Sequence, residues 1–238
     1  MSASLLPILY SGLEPLDAAR HAALRLRDAG HGFAGRLSSI PLAVDEFALA
    51  GRRMPLVFAA EAPHMPVALT SLAPERNGFV DPEGIWQSGC YVPAYLRRYP
   101  FLLVRAAADT DQLVLCIDPA APQLSSSEGE PLFEAEGKPS PLATKAFEFT
   151  RSVEAAFRKT QEFAEGLLLM GLLQPAVIQF DHAGKPFRVD GFHAVERERL
   201  MKLTGEQLTT LRDKGWLEAI HAHLLSLTGI AEFKQKEG

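Results

Sequence analysis

Proline and glycine cut the first half of this chain into short apolar runs at 54–60, 66–70, Phe101–Arg105 and Leu113–Ile117. Proline removes a backbone donor and clashes with the preceding helical turn, and interior glycine costs conformational entropy. Runs this short between such breakers predict strands rather than helices. Two other segments read differently. Residues 23–27 alternate like a strand, yet the alanine-rich run 17–28 also suits a helix, and the pattern leaves both open. Residues 44–50 suit one short helix.

Breakers gather again between Asp118 and Pro141, where Pro-Ala-Ala-Pro-Gln-Leu-Ser-Ser-Ser-Glu-Gly-Glu-Pro is followed by Gly137, Pro139 and Pro141. The shift marks the expected boundary between a strand-rich portion, 1–122, and a mainly helical one, 123–238. Val153, Phe157, Phe163, Leu167 and Leu168 then fall near helical spacing and predict a long helix over 150–173, ended before Pro175. Val177-Ile-Gln-Phe180 and Phe187-Arg-Val-Asp-Gly-Phe192 flank Asp181-His-Ala-Gly-Lys-Pro186 and predict a hairpin. Thr204 and Gln207 form a capping box for a helix to Lys214, Gly215 closes it, and 216–227 forms a last amphipathic helix. The expected fold is α+β. A strand-rich N-terminal portion packs with a mainly helical C-terminal portion containing one β-hairpin, in a single domain over 1–238; two lobes are the alternative.

Composition limits the function. A chain of 238 residues, 47% hydrophobic, has enough apolar side chain for a sizeable core. Its net charge of -5 opposes a nucleic-acid backbone, so no nucleic-acid partner is expected. The start has no basic region and is broken by Pro7, so no secretory signal is expected. The apolar stretch 166–173 is far shorter than the roughly 20 residues that span a bilayer. A cytoplasmic protein that does not span a membrane is the expectation. Cys90 and Cys116 make no Cys-x-x-Cys pair and are expected as reduced thiols.

Familiar catalytic patterns fail on spacing. Both Gly-Lys pairs, in 133–139 and 180–186, lack the upstream glycine of a phosphate loop, and proline stands where a magnesium-holding hydroxyl belongs. Gly30-His-Gly-Phe-Ala-Gly35 lacks dinucleotide spacing, and neither Ser11 nor Ser88 completes a nucleophile elbow. His221 and His223, two apart on a helix, face different ways. His182 and His193 lie near Asp181 and Asp190 without a compact ligand set, so neither metal nor cofactor is expected. Cys90, near Arg97 and Arg98, has no identifiable histidine partner.

Recognition chemistry concentrates in Trp86-Gln-Ser-Gly-Cys-Tyr-Val-Pro-Ala-Tyr-Leu-Arg-Arg-Tyr-Pro-Phe101. If Pro93 opens a helix and Pro100 ends it, Tyr91, Tyr95 and Tyr99 form a stripe beside two guanidinium groups. Tyrosines offer an apolar body with a polar tip, and arginines a planar fork suited to carboxylates. The candidate binding residues are therefore Trp86, Tyr91, Tyr95, Arg97, Arg98 and Tyr99. The other reading buries Tyr91, Tyr95 and Phe101 in the core and pairs the arginines with acids such as Glu46. Glu46 and Asp190 are the candidate pocket acids.

The run Gly89-Cys-Tyr-Val-Pro-Ala-Tyr-Leu-Arg-Arg-Tyr-Pro-Phe-Leu-Leu103 resembles the signature of the SapC family, bacterial proteins named for an association with surface-layer genes. Ile40-Pro-Leu-Ala-Val-Asp-Glu-Phe47, Met54-Pro-Leu-Val-Phe58, Gly129-Glu-Pro-Leu-Phe133, Val189-Asp-Gly-Phe192 and His221-Ala-His-Leu-Leu-Ser-Leu227 resemble its other blocks, in order. Arg53 stands where relatives tend to have tyrosine. The resemblance implies association with the bacterial cell envelope, in the genomic company of TonB-dependent receptors and flavin-dependent tryptophan halogenases. It carries over no catalytic residue. The functional expectation is a non-catalytic accessory or binding protein for surface-protein or peptide handling, peripheral to the envelope, with a protein or peptide partner. The alternatives are an enzyme modifying a peptide or amino acid beside oxidative enzymes or TonB-dependent uptake systems, and a homodimer with the block as interface.

Overall fold

Each short apolar run of the first half becomes a strand in the computed structural model, which describes residues 6–106, 112–182 and 185–230, and only the backbone of 180–187. In chain order come β1 (Glu14–Pro15), α1 (Ala18–His21), β2 (Arg25–Leu26), β3 (Ser39–Pro41), α2 (Phe47–Ala50), β4 (Leu56–Ala59) and β5 (Pro66–Leu69). Then follow α3 (Ala94–Arg97), β6 (Phe101–Arg105), β7 (Leu113–Ile117), β8 (Leu124–Ser125) and β9 (Glu130–Pro131). The remainder is α4 (Pro141–Leu169), β10 (Leu173–His182), β11 (Lys185–Val195), α5 (Arg197–Met201), α6 (Gly205–Asp213) and α7 (Trp216–Thr228). The architecture is α+β, strand-rich first and mainly helical afterwards.

The largest sheet is antiparallel, in the order β10-β11-β4-β5-β3. Its hairpin comes from the C-terminal half and docks on β4 through Phe192↔Ala59 and His193↔Phe58. Two smaller sheets, β1-β7-β6 and β8-β2-β9, are built from strands that precede α4. The core is an aromatic cluster in which Phe47, Phe58 and Phe163 meet at centroid distances of 5.9–6.4 Å. Such edge and tilted pairs add to the burial of the rings themselves. Leu56, Leu167 and Ile220 complete it, each without solvent exposure. Gly166 on α4 lets Trp216 lie against the helix, because a Cβ there would fall 2.2 Å from the indole ring.

Several expectations change. The helix expected over 150–173 runs instead over Pro141–Leu169. The Ser140 hydroxyl accepts from Ala143 N, and Pro141, which has no N–H to lose, suits the first turn. Gly171, at φ 67, turns the chain out well before Pro175. The segment 118–141, expected as a boundary, supplies β8 and β9, which pair with β2. Residues 17–28 contain both a turn of helix capped by Asp17 and a two-residue strand. The hairpin lies as expected, though residues 183–184 of its turn are outside the described residues. Thr204 and Gln207 do form the capping box of α6. Among the described residues no helix is long and apolar enough to cross a membrane.

Candidate functional site

Pro93 does open a helix, but α3 holds only four residues, so the spacing of Tyr91, Tyr95 and Tyr99 does not produce one exposed stripe. The three phenols go to three internal partners. The Tyr91 hydroxyl donates to Glu46 Oε1 at 2.9 Å, Tyr95 to the Ile8 carbonyl at 2.5 Å and Tyr99 to Asp118 Oδ2 at 3.2 Å. Burial raises all three phenol pKa values above the ordinary tyrosine range, reinforced by Glu46 at Tyr91 and by Asp118 at Tyr99, so each hydroxyl keeps the proton it donates. Tyr95 and Tyr99 are buried, as is Trp86, whose indole stacks on Phe79 at 5.6 Å.

The two arginines divide. Arg98 is 5% exposed, and its guanidinium meets Glu154 on α4 at 2.7 Å while lying over Tyr95 and Phe157. A buried cation needs such a partner, because desolvating it alone is prohibitive. Arg97 is exposed, donates to Tyr91 Oη and the Val92 carbonyl, and sits over the Tyr91 and Phe149 rings. Of the reading that buries Tyr95 and Phe101 and pairs the arginines with acids, the burial and one pair are found: Arg98 pairs with Glu154 rather than Glu46, and Arg97 makes no ion pair among the described residues.

Glu46 is the hub instead. Its buried carboxylate accepts from Ala94 N at 2.6 Å and Ala43 N at 2.9 Å as well as from Tyr91. The acid therefore ties α3 to the 3-10 turn Val44–Glu46, which runs directly into α2. Thr160 Oγ1 on α4 fixes the same turn by accepting from Val44 N at 2.8 Å. Asp190, the other candidate acid, is exposed on β11 and paired with Arg188 at 2.8 Å. Neither acid lines the groove described next.

What this bracing positions is a surface groove between α2 and α7. Two adjoining hollows of about 510 and 600 Å³ share Phe47, Ala48, Glu218 and Ala222, so they form one continuous trough. The first is bounded by Asp45, Lys159, Glu162, Lys214 and Trp216, with Lys159 4.0 Å from Asp45 and Lys214 over the Trp216 ring at 4.5 Å. The second is bounded by Arg52, Arg53, His221 and Leu225. Arg52 and Arg53 are exposed and make no ion pair or side-chain hydrogen bond among the described residues. Leu225 is 67% exposed. Ser226 lines the trough but is committed, accepting from Leu56 N and donating to the His223 carbonyl. His221 is likewise held, its Nδ1 2.7 Å from the Leu217 carbonyl. The trough offers apolar and charged lining in comparable measure, suited to binding an extended or helical segment.

A family model for SapC matches residues 16–233. The chain belongs to the SapC family. The match takes in the tyrosine and arginine block, Glu46 and both walls of the groove. No curated protein and no solved structure matches the chain. In this SapC protein the block and its acid were legible as chemistry, whereas the groove was not. Arg52 and Arg53 lie in an ordinary run, Gly51-Arg-Arg-Met54, and Lys214, Trp216 and Glu218 read only as the junction of two amphipathic helices. Asp118 and Tyr10 were missed too. Asp118 is fully buried, accepting from Ser11 N, Ala120 N and Tyr99, and Tyr10 donates to the Phe101 carbonyl. The only sequence signal for Asp118 was its place at the end of a strand before a proline.

Proposed function

We propose that this SapC protein is a non-catalytic binding protein for bacterial surface-protein or peptide handling, peripheral to the cell envelope. Its partner is a protein segment with an apolar face and acidic side chains, taken up in the groove between α2 and α7. The block from Trp86 to Tyr99 contributes as the brace of that groove, through Tyr91 and Glu46, with Arg97 as its exposed tip. One observation carries the reading: among the described residues Arg52 and Arg53 stand unpaired, beside the exposed Leu225 at the rim of this trough. Unpaired guanidinium groups next to apolar area match the charge and area a carboxylate-bearing segment presents. Placement at the envelope rests on the family's association with surface-layer genes.

The test is site-specific photo-crosslinking in the native host from Ala48 and Leu225 in the groove, with Glu148 on the exposed face of α4 as control. Partners specific to the groove positions are expected, mapping to acidic segments. An Arg52→Glu, Arg53→Glu double variant of verified folding is expected to lose them. Identical crosslinks from all three positions, or capture indifferent to the charge reversal, refute the groove as the contact site.

A further inference from the structure

His193 on β11 faces an unexpected neighbour. Sequence spacing coupled it with His182, whose side chain lies outside the described residues, but the fold sets its ring 5.1 Å from that of His64, at an interplanar angle of 71°. His64 belongs to the β4–β5 connection. Its backbone is left-handed at φ 57, and its N–H donates to the Glu61 carbonyl at 2.8 Å. Its Nδ1 lies 3.0 Å from the Ala59 carbonyl. A nitrogen facing a carbonyl carries the proton, so Nε2 keeps its lone pair, the arrangement by which second-shell carbonyls prepare histidines as metal ligands. The His193 Nδ1 is buried and has no hydrogen-bond partner among the described residues. Such an orphan asks for an explanation, and a bound ion is one.

The spacing fits that explanation. Two imidazoles held at roughly 2.0–2.1 Å in neighbouring positions of one ion, tetrahedral or tetragonal, place their ring centroids about 4.5–5 Å apart. Both side chains are half-buried, so the site is sheltered yet reachable. We propose that His64 and His193 together bind a divalent transition-metal cation where the β4–β5 turn meets β11. Among the described residues no third histidine, cysteine or carboxylate joins them, so the ion keeps positions open to water or to a partner's ligand. Two imidazole ligands with open positions select by the general affinity order, which places copper(II) above nickel(II) and zinc(II). This site does not depend on the groove.

The experiment titrates the tag-free protein calorimetrically with copper(II), nickel(II) or zinc(II) alone at pH 7.5. One-to-one binding is expected, tightest for copper. His64→Gln and His193→Gln each weaken it at least tenfold, while His21→Gln, a control that belongs to neither the pair nor the groove, leaves it unchanged. Should His193→Gln fail to fold, His64→Gln decides alone. Absence of saturable binding by wild type, or isotherms that His64→Gln leaves unaltered, overturns the site.

Discussion

Replacing Glu46 by glutamine tests the brace at its centre. The carboxylate receives three hydrogen bonds while 6% exposed: Ala94 N and the Tyr91 hydroxyl on Oε1, Ala43 N on Oε2. Glutamine keeps an oxygen for the first two and sets an amide NH2 against Ala43 N–H, donor against donor. One charge-assisted bond is lost and one buried N–H is orphaned, a cost of about 2–3 kcal/mol. Alanine removes all three hydrogen bonds and leaves a void, for about 4–5 kcal/mol. Tyr91→Phe removes one donor and the phenol that receives Arg97, for about 1 kcal/mol. Urea unfolding followed by tryptophan emission gives all three values, and the order Ala, Gln, Phe is the expected ranking of loss. The glutamine variant also loosens the Val44–Glu46 turn, so groove crosslinking from Ala48 falls with it. A Glu46→Gln midpoint equivalent to a change under about 0.5 kcal/mol would falsify the hub.

Two further outcomes follow from buried groups. His223 is fully buried, its Nε2 accepting from Val195 N at 3.0 Å, and burial pushes its pKa down to about 4 against a smaller opposing contribution from the Leu56 backbone. The unfolded chain therefore binds the proton below pH 6.5 while the native one does not, so stability falls as pH drops from 6.5 towards 4, by roughly 3 kcal/mol. His223→Gln keeps an acceptor for Val195 and removes the titration. Its urea midpoints between pH 7 and 4 fall less steeply than wild type, and parallel curves would sink the assignment. Gly166→Ala drives a Cβ to within 2.2 Å of the Trp216 ring, which lines the groove. Overpacking of this kind costs about 1–3 kcal/mol and displaces the indole, read as a shifted emission maximum; an unchanged spectrum and midpoint contradict it.

The strands β4 to β7 were legible because each is an apolar run between breakers, and β6 and β7 end where the residues predict, whereas β3 (Ser39–Pro41) drew no such reading. The two-residue strands β1, β8 and β9 were not, and β2 only as one of two readings of 23–27, since so short a strand is defined by its partner rather than by a local pattern. The start of α4 was hidden for a different reason. Pro139 and Pro141 read as breakers, but proline obstructs a helix interior and suits its first turn, so the same residue carries opposite meanings on either side of Ser140. The tyrosine spacing misled in a third way. A period of four projects onto one face only where the helix continues, and here Tyr91 precedes α3 and Tyr99 follows it.

That failure of projection redirects the search for recognition chemistry. A block with three phenols and two guanidinium groups draws attention by density, yet every phenol, and both arginines, has an internal partner. Groups already committed inside the fold bind a ligand only by giving those contacts up, and for buried Arg98 that means stranding Glu154 as well. Arg52 and Arg53 have nothing to surrender among the described residues. Their charge is available at full strength, screened by salt alone, so binding there weakens as ionic strength rises, whereas the brace, buried at Glu46 and Arg98, does not respond. Capture of partners across a salt series thus separates the two: a flat response places the contact away from the arginine pair, and a falling one with unchanged protein stability places it there.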